Sequence, residues 1–178
     1  MKKSDIQKPP CYFDRYINLV ADIELADAFQ QSHAQLDALD LPALQRIGDR
    51  VYAAGKWTIK DTLKHLIDTE HILTYRALRI GRNDKTNLPG FDEALLAAHV
   101  STKHRTLESL IDEMKTVRRA TALLFASFDD EALQRIGLAS EIQMSALAFG
   151  FTILGHQIHH LNIIAEKYVP LAEKGAGQ

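Results

Sequence analysis

Apolar residues recur at intervals of three and four positions along most of the chain, which is the pattern of amphipathic helices. The alternating apolar and polar pattern of a β-strand appears nowhere for more than a few residues. The sequence therefore predicts an all-α fold built from four long helices. The expected helices cover about 15–38, 58–81, 102–125 and 145–168, and a short helical turn is expected over 129–135.

Capping and helix-breaking residues indicate where some of these helices begin and end. Thr58 is a suitable N-cap for the second helix, with Asp61 in its first turn, and Gly81 is the expected glycine at its end. Pro170 should stop the fourth helix, because proline cannot continue a helix and restricts the residue before it. We expect residues 173–178 to form a loose tail.

The connections after the first and second helices are long enough to cross a bundle. We therefore expect one domain over 1–178, a four-helix bundle with long crossover connections rather than the simplest up-down-up-down order. A chain of 20.0 kDa with 46% hydrophobic residues buries enough surface to fold without a metal or disulfides. Any metal that it binds should therefore serve function first.

Charge and composition exclude two classes of partner. The chain has 21 Lys and Arg against 23 Asp and Glu, with a net charge of −2 and no basic block, which argues against nucleic-acid binding. Its most apolar window, 146–154, is far shorter than the roughly 20 residues of a membrane span. The single cysteine, Cys11, fits a reducing compartment. We expect a cytoplasmic protein.

The eight histidines carry the candidate chemistry. His156 and His160 stand at i and i+4 of the fourth helix, so their imidazoles lie on one face and could converge on a metal ion. His159 lies some 60° away from His156 around the helix and is the weaker candidate. The spacing alone is also consistent with hydrogen-bonded residues at a packed boundary. The other histidines lack a partner at ligand spacing and are expected at the surface or at a boundary of the fold; they are His33, His71, His99 and His104.

A third histidine, His65, lies at the margin of the apolar face of the second helix, from where it can reach a neighbouring helix. Spacing does not decide between a structural role and a ligand role for it. Trp57 and the leucines nearby are expected in the core. Asp68 and Glu70 are the nearest carboxylates in sequence, and each could act as a base or support a ligand, or simply be solvated or capping.

The fourth helix is apolar on two sides, which is unusual for a helix at the edge of a monomeric bundle. The second apolar side is therefore a candidate homodimer interface. It consists of Leu147, Phe151, Leu154, Ile158, Leu161 and Ala165.

Two motifs together resemble the DinB/YfiT-like family of metal-binding helical bundles. The second helix contains Trp57-Thr58-x6-His65-Leu66-x-Asp68-x-Glu70, and the last helix contains Gly155-His156-x2-His159-His160-x2-Ile163-Ile164. The resemblance spans about 15–168 and implies a four-helix bundle. It also implies that His65, His156 and His160 are the three ligands of one divalent ion, with water at the remaining positions. Zinc and nickel both suit such ligands.

The resemblance implies a metal-dependent enzyme that acts on a small-molecule substrate. Relatives with assigned activities include transferases and isomerases that use small thiol cofactors, and others are described as hydrolases. The sequence has no Gly-x-Ser-x-Gly elbow, phosphate loop or Cys-His pair near Cys11. The expected nucleophile is therefore external, either water or a low-molecular-weight thiol activated on the ion. The alternative from another class is a non-catalytic dimeric helical scaffold or stress-associated binding protein.

Overall fold

The computed structural model describes residues 1–173, and the predicted tail lies outside the described residues from position 174 onward. Within residues 1–173 the fold is mostly helical, with one short antiparallel hairpin. The helices are α1 (Asp14–Ile17), α2 (Leu25–Asp37), α3 (Leu41–Ile47), α4 (Ile59–Gly81), α5 (Glu93–Ala98), α6 (Leu107–Ala126), α7 (Asp130–Gln134), α8 (Ala146–Ile163) and α9 (Val169–Glu173).

The four long helices α2, α4, α6 and α8 form the bundle. Both α2 and α4 pack principally against α6 and α8, which places α2 diagonally opposite α4. Two helices that follow each other along the chain in this way cannot be joined by a tight turn, and the connection between them contains α3. The all-α four-helix bundle with crossover connections is thus confirmed. None of the described helices is long and apolar enough to cross a membrane.

The predicted first helix is wrong as a single element, because the chain breaks between α1 and α2. Residues 18–24 instead contact the N-terminal segment: the amino group of Met1 donates to Glu24 at 2.6 Å, and the Ser4 backbone N–H donates to Asp22 at 2.8 Å. The side chain of Lys3 donates to the carbonyl of Val20. These tertiary contacts replace the hydrogen bonds that a continuous helix would make.

The predicted end of the last helix is also wrong, because helical structure continues past Pro170. A π-helical segment, Ile164–Tyr168, follows α8 and leads directly into α9. Pro170 is the second residue of α9, and proline, which lacks a backbone N–H, is tolerated in the first turn of a helix. The second helix, in contrast, ends at Gly81 as predicted, and the residue in the left-handed conformation after α4 is Asn83.

The sequence prediction missed the hairpin of β1 (Ile136–Ala139) and β2 (Ile142–Ser145), in which Ile136 pairs with Ser145. Its strands are only four residues long, too short for alternation to be evident. The turn residues Ser140 and Glu141 both have positive φ, 52° and 62°, a hairpin-turn conformation that normally favours asparagine or glycine.

The apolar core consists of two clusters that meet near the middle of the bundle. One contains the second half of α4 and the first half of α8, and the other contains the first half of α4 and the π-helical segment. Buried polar side chains lie on the bundle helices between the two clusters; they are Ser32, His65, Glu70, Arg118, His156 and Gln157. We call these residues the polar layer.

The N-terminal half of the predicted dimer interface is buried within the monomer. Leu147, Phe151 and Leu154 are at most 1% exposed, because they belong to the first of the two apolar clusters. The predicted homodimer interface is therefore wrong at these three positions. Ile158 and Leu161 remain half-buried and Ala165 is exposed.

Candidate metal centre

The structure brings together the three histidines predicted as ligands. Nε2 of His156 lies 3.1 Å from Nε2 of His65 and 3.1 Å from Nε2 of His160. Ligand atoms of all three lie within 4.8 Å of one another. Nitrogen atoms bound to zinc at about 2.1 Å would be roughly 3.0–3.4 Å apart, depending on the bond angle. The two close distances fit a shared divalent ion.

Two antiparallel helices position these side chains. Thr58 caps α4: its side chain accepts from the Asp61 backbone N–H, and Asp61 accepts from that of Thr58, both at 3.1 Å. At the other end of α4, the Arg135 guanidinium donates to the Gly81 carbonyl, and the Arg135 carbonyl accepts from the Ala146 backbone N–H. The start of α8 thus lies beside the end of α4, which brings His65 opposite the later turns of α8.

Burial keeps the three imidazoles uncharged at neutral pH. It lowers the pKa of His65 to about 4 and that of His160 to about 3. It also lowers the pKa of His156 well below the usual value, and the neighbouring His160 and His65 add to this effect. A metal ion binds the neutral imidazole, so these histidines do not have to lose a proton first.

Aromatic residues and a threonine surround the imidazoles. The Tyr16 ring meets His156 edge-on at 5.1 Å between centroids, and the Trp57 ring lies 4.8 Å from that of His65. Trp57 is therefore not the fully buried core residue expected from the sequence; it is half-buried against a candidate ligand. Oγ1 of Thr69 lies 3.5 Å from Nδ1 of His65, where it can help to leave Nε2 free for a metal.

The two nearby carboxylates have different environments, and neither is a hydrogen-bond partner of a triad histidine. Asp68 pairs with Lys64 at 2.9 Å near the surface. Glu70 is 2% exposed and accepts two hydrogen bonds from Arg118, Nε at 3.0 Å and Nη2 at 2.7 Å. Arg118 also donates to Ser32. A proton-transfer role for Glu70 is disfavoured by this ion pair.

The other histidines are not part of the converging group, although the His159 ring lies 5.0 Å from that of His160. His159 lies next to Tyr16, with 5.4 Å between ring centroids, and is half-buried. His33 is half-buried, while His71, His99 and His104 are exposed, as the sequence predicts. Within residues 1–173, the three triad histidines are the only group of three or more potential ligands that converge on one point.

Two of the cavities that border the triad are large enough to hold a small molecule. One, of about 480 Å³, is lined by His156, Tyr16 and Thr69; the other, of about 260 Å³, is lined by His160, Trp57 and Tyr168. A larger cavity of about 670 Å³ is lined by none of the three histidines. The connections before α4 and after it contribute walls, Tyr52 to the smaller cavity and Phe91 to the one beside His156.

The fold and this site together define a class of helical bundles with a cluster of three histidines between two helices. The chain belongs to the DinB superfamily, whose family model matches residues 28–164. It is similar to the solved structure of YfiT from Bacillus subtilis, with a TM-score of 0.59 and 14% sequence identity over 93% of this chain and 87% of that one. YfiT is described as a probable metal-dependent hydrolase with an unusual four-helix bundle topology. None of the curated proteins compared with the chain matches it.

Sequence reasoning missed Tyr16, Thr69 and Arg118 as neighbours of the site. Thr69 follows His65 by one helical turn, so the i+4 spacing could have identified it. Tyr16 and Arg118 come from other helices, and no local spacing relates them to the histidines. Their placement depends on how α1 and α6 pack.

Proposed function

We propose that this protein is a metal-dependent enzyme in which His65, His156 and His160 bind one divalent ion through their Nε2 atoms. The observation that carries the proposal is the convergence of three neutral imidazole nitrogens from two helices, with 3.1 Å between neighbouring atoms. Three imidazoles are suitable ligands for zinc or nickel. The description of YfiT as a probable metal-dependent hydrolase supports the same class of chemistry.

A divalent ion at this position would supply Lewis-acid chemistry and lower the pKa of water or of a small-molecule thiol. Neighbouring side chains support the three ligands. Thr69 can orient His65, while Tyr16 and Trp57 shield the imidazoles from solvent. Cys11 is exposed and lines neither cavity beside the histidines. The nucleophile is therefore external.

The two cavities suit a reaction between two molecules. The cavity of about 480 Å³ is large enough for a small-molecule substrate. The smaller one, beside His160, can admit water or a low-molecular-weight thiol. Hydrolysis and thiol-dependent transfer are the two candidate reactions, and a reducing cytoplasmic location, still a prediction, suits both.

The first experiment measures metal per chain in untagged protein after exhaustive dialysis, followed by loading with zinc or nickel. We expect about one tightly held ion per chain in the unsubstituted protein. His156→Ala should lose it, because His156 is the central member of the triad. His71→Ala is the matched control, since His71 is exposed on the same helix as His65, and it should keep the ion.

Two outcomes would contradict the proposal. One is the absence of bound metal in the loaded, unsubstituted protein. The other is an unchanged metal content in His156→Ala together with a loss of stability. Either result would favour the non-catalytic scaffold, in which the histidines serve only the fold. With metal established, hydrolase and thiol-transfer substrates can be screened with that ion.

The homodimer is a separate part of the proposal. We propose that its interface uses the part of α8 and the π-helical segment that the monomer leaves accessible, namely Ile158, Leu161 and Ala165. Light scattering after size exclusion should then give twice the chain mass of 20.0 kDa. Leu161→Glu should give the single-chain mass, and a monomeric unsubstituted protein would contradict this interface.

A further inference from the structure

The guanidinium of Arg76, in the second half of α4, is a buried charge that the metal chemistry does not use. The residue is 3% exposed, and its Nη2 donates to the Pro89 carbonyl at 2.7 Å and to Oγ of Ser140 at 3.0 Å. Within residues 1–173 it forms no ion pair with a carboxylate. Burial lowers its pKa, but an arginine stays protonated in proteins.

An unpaired buried charge is costly, and the other buried arginine of the bundle, Arg118, has Glu70 as its counter-ion. Arg76 has only neutral acceptors. One of them, Ser140, is held in the left-handed region with a φ of 52°, a conformation that costs a non-glycine residue free energy. A strained turn thus positions a hydroxyl on an arginine that has no carboxylate counter-ion. Its guanidinium also lies over the Phe91 ring, 5.3 Å from the ring centroid.

Arg76 lines the same cavity of about 480 Å³ as His156 and Thr69. In the described part of the chain, the only buried side-chain nitrogen or oxygen that lacks both solvent contact and a partner is Oε1 of Gln157. The nitrogens of Arg76 that do not bind Pro89 or Ser140 are therefore not sealed in the core. They retain some solvent contact, and Arg76 lines this cavity.

The distance between the charge and the triad suits a small molecule. Thr69 and Arg76 are seven residues apart on α4 and so lie on one face of the helix, separated by roughly 10 Å of helical rise. Thr69 is next to His65. A ligand of about that length can contact Arg76 with one end and place its other end beside His156.

The cavity lining indicates which anion fits. Arg76 is the only cationic side chain that lines this cavity, because His156 is neutral. Asp92 and Glu93 also line it. One cation beside two acids suits a singly charged carboxylate better than a phosphate dianion. Most of the remaining lining is apolar or aromatic, which suits an apolar body.

We propose that this cavity binds a substrate with an apolar body and a carboxylate, with the carboxylate paired to Arg76 and the reacting group beside His156. The proposal rests on the proposed function for its reacting end. The carboxylate contact itself requires no metal, so it can be tested on metal-free protein.

The test uses isothermal titration calorimetry with 3-phenylpropionate, its neutral amide 3-phenylpropanamide, and phenyl phosphate on metal-free protein. We expect the acid to bind at least about tenfold more tightly than the amide, as a charge-assisted contact in a desolvated site implies. Phenyl phosphate should bind more weakly than the acid. Arg76→Met should abolish the preference for the acid, and Arg79→Met should keep it, because Arg79 is on the same helix but pairs with Asp84.

Circular dichroism checks that Arg76→Met is folded. If it is not, Arg76→Lys, which keeps the charge, and Ser140→Ala, which removes only one hydrogen bond, should both still prefer the acid over the amide. Equal binding of acid and amide to the unsubstituted protein would overturn the proposal, as would an unchanged preference in folded Arg76→Met or tighter binding of phenyl phosphate. Metal content is measured separately. No bound metal together with a preserved preference for the acid would contradict the proposed function alone. Bound metal together with equal binding of the acid and the amide would overturn the carboxylate site alone.

Discussion

At the scale of single residues, burial decides the protonation of the candidate ligands. An exposed histidine titrates near pH 6.5, whereas the pKa of His65 is lowered to about 4 and that of His160 to about 3. Their imidazole nitrogens should therefore be available to a metal at any pH above about 5. Proton competition, which weakens an ordinary three-histidine site in mild acid, should be small here.

The same shifts predict how the stability of the metal-free protein changes with pH. Between pH 6.5 and the lowered values, the unfolded chain binds more protons than the folded one, so the free energy of unfolding decreases as the pH falls. The stabilisation is fully present above pH 6.5 and is lost toward pH 4 and 3. Urea unfolding should show a midpoint that falls from pH 7 to pH 5, and a midpoint that is constant over this range would contradict the assignment.

The buried pair of Glu70 and Arg118 predicts a large effect of a small substitution. Glu70→Gln leaves the Arg118 charge buried without its counter-ion, which should cost about 3–5 kcal/mol of unfolding free energy. The matched control is Glu113→Gln, because Glu113 pairs with Arg105 at 2.7 Å and with Lys64 at 3.1 Å in a less buried setting, where each pair contributes about 1 kcal/mol or less.

Replacing both partners with apolar residues, as in Glu70→Leu with Arg118→Met, should cost much less than Glu70→Gln, because no charge is then buried alone. Urea unfolding of the three variants measures the difference. Equal losses for Glu70→Gln and Glu113→Gln would mean that the pair is not desolvated as the structure indicates.

At the scale of elements, the approach of α1 to α8 depends on Gly155. A Cβ at this position would collide with the backbone carbonyl of Tyr16, the residue whose ring lies against His156. The close contact lets α1 form one wall of the site. His156, which follows Gly155 in sequence, is thus shielded by α1, and α1 can come this close only because residue 155 has no side chain.

Gly155→Ala should therefore displace α1 and destabilise the protein by about 1–3 kcal/mol. The control is Gly150→Ala on the same helix, where an added Cβ meets only side-chain atoms, at 3.0 Å or more. There the roughly 1 kcal/mol gain in helix propensity should offset the crowding. Thermal unfolding compares the two, and a Gly155→Ala variant as stable as Gly150→Ala would contradict the close approach.

Helices with strong capping or spacing patterns could be predicted from the sequence. The features that could not be predicted depend on contacts between residues distant in sequence. Thr58 and Asp61 mark the start of α4 locally, as predicted. The break between α1 and α2 depends instead on Met1, Ser4 and Lys3, which are distant in sequence. The His156 and His160 pair follows from a four-residue spacing, but the position of His65 opposite it follows from the packing of α4 on α8.

At the scale of the whole molecule, the polar layer divides the core into two apolar clusters. Two of the three candidate ligands, His65 and His156, belong to this layer, and the candidate ligands come from both α4 and α8. A bound ion would therefore connect two helices of the bundle where apolar packing is interrupted. Binding to the folded chain alone raises the free energy of unfolding.

Zinc or nickel at 100 times its dissociation constant should stabilise the protein by about 2.7 kcal/mol. Magnesium and calcium should have little effect, because they prefer oxygen ligands. Thermal unfolding with and without each ion measures this, and a chelator should reverse the shift. Stabilisation by zinc that persists in His156→Ala would show that the ion binds elsewhere.

The π-helical segment after α8 has a consequence for how this fold tolerates change. Hydrogen bonds in such a segment close five residues back instead of four, so it accommodates more chain than a regular turn. Tyr168 stands eight residues after His160, and its hydroxyl donates to the Trp57 carbonyl, closing the smaller cavity. A regular α-helix over the same residues would carry Tyr168 to a different position around the helix axis, because it turns further per residue. The wall of that cavity thus depends on how many residues the π-helical segment contains. A substitution leaves that number unchanged, whereas a single insertion or deletion changes it.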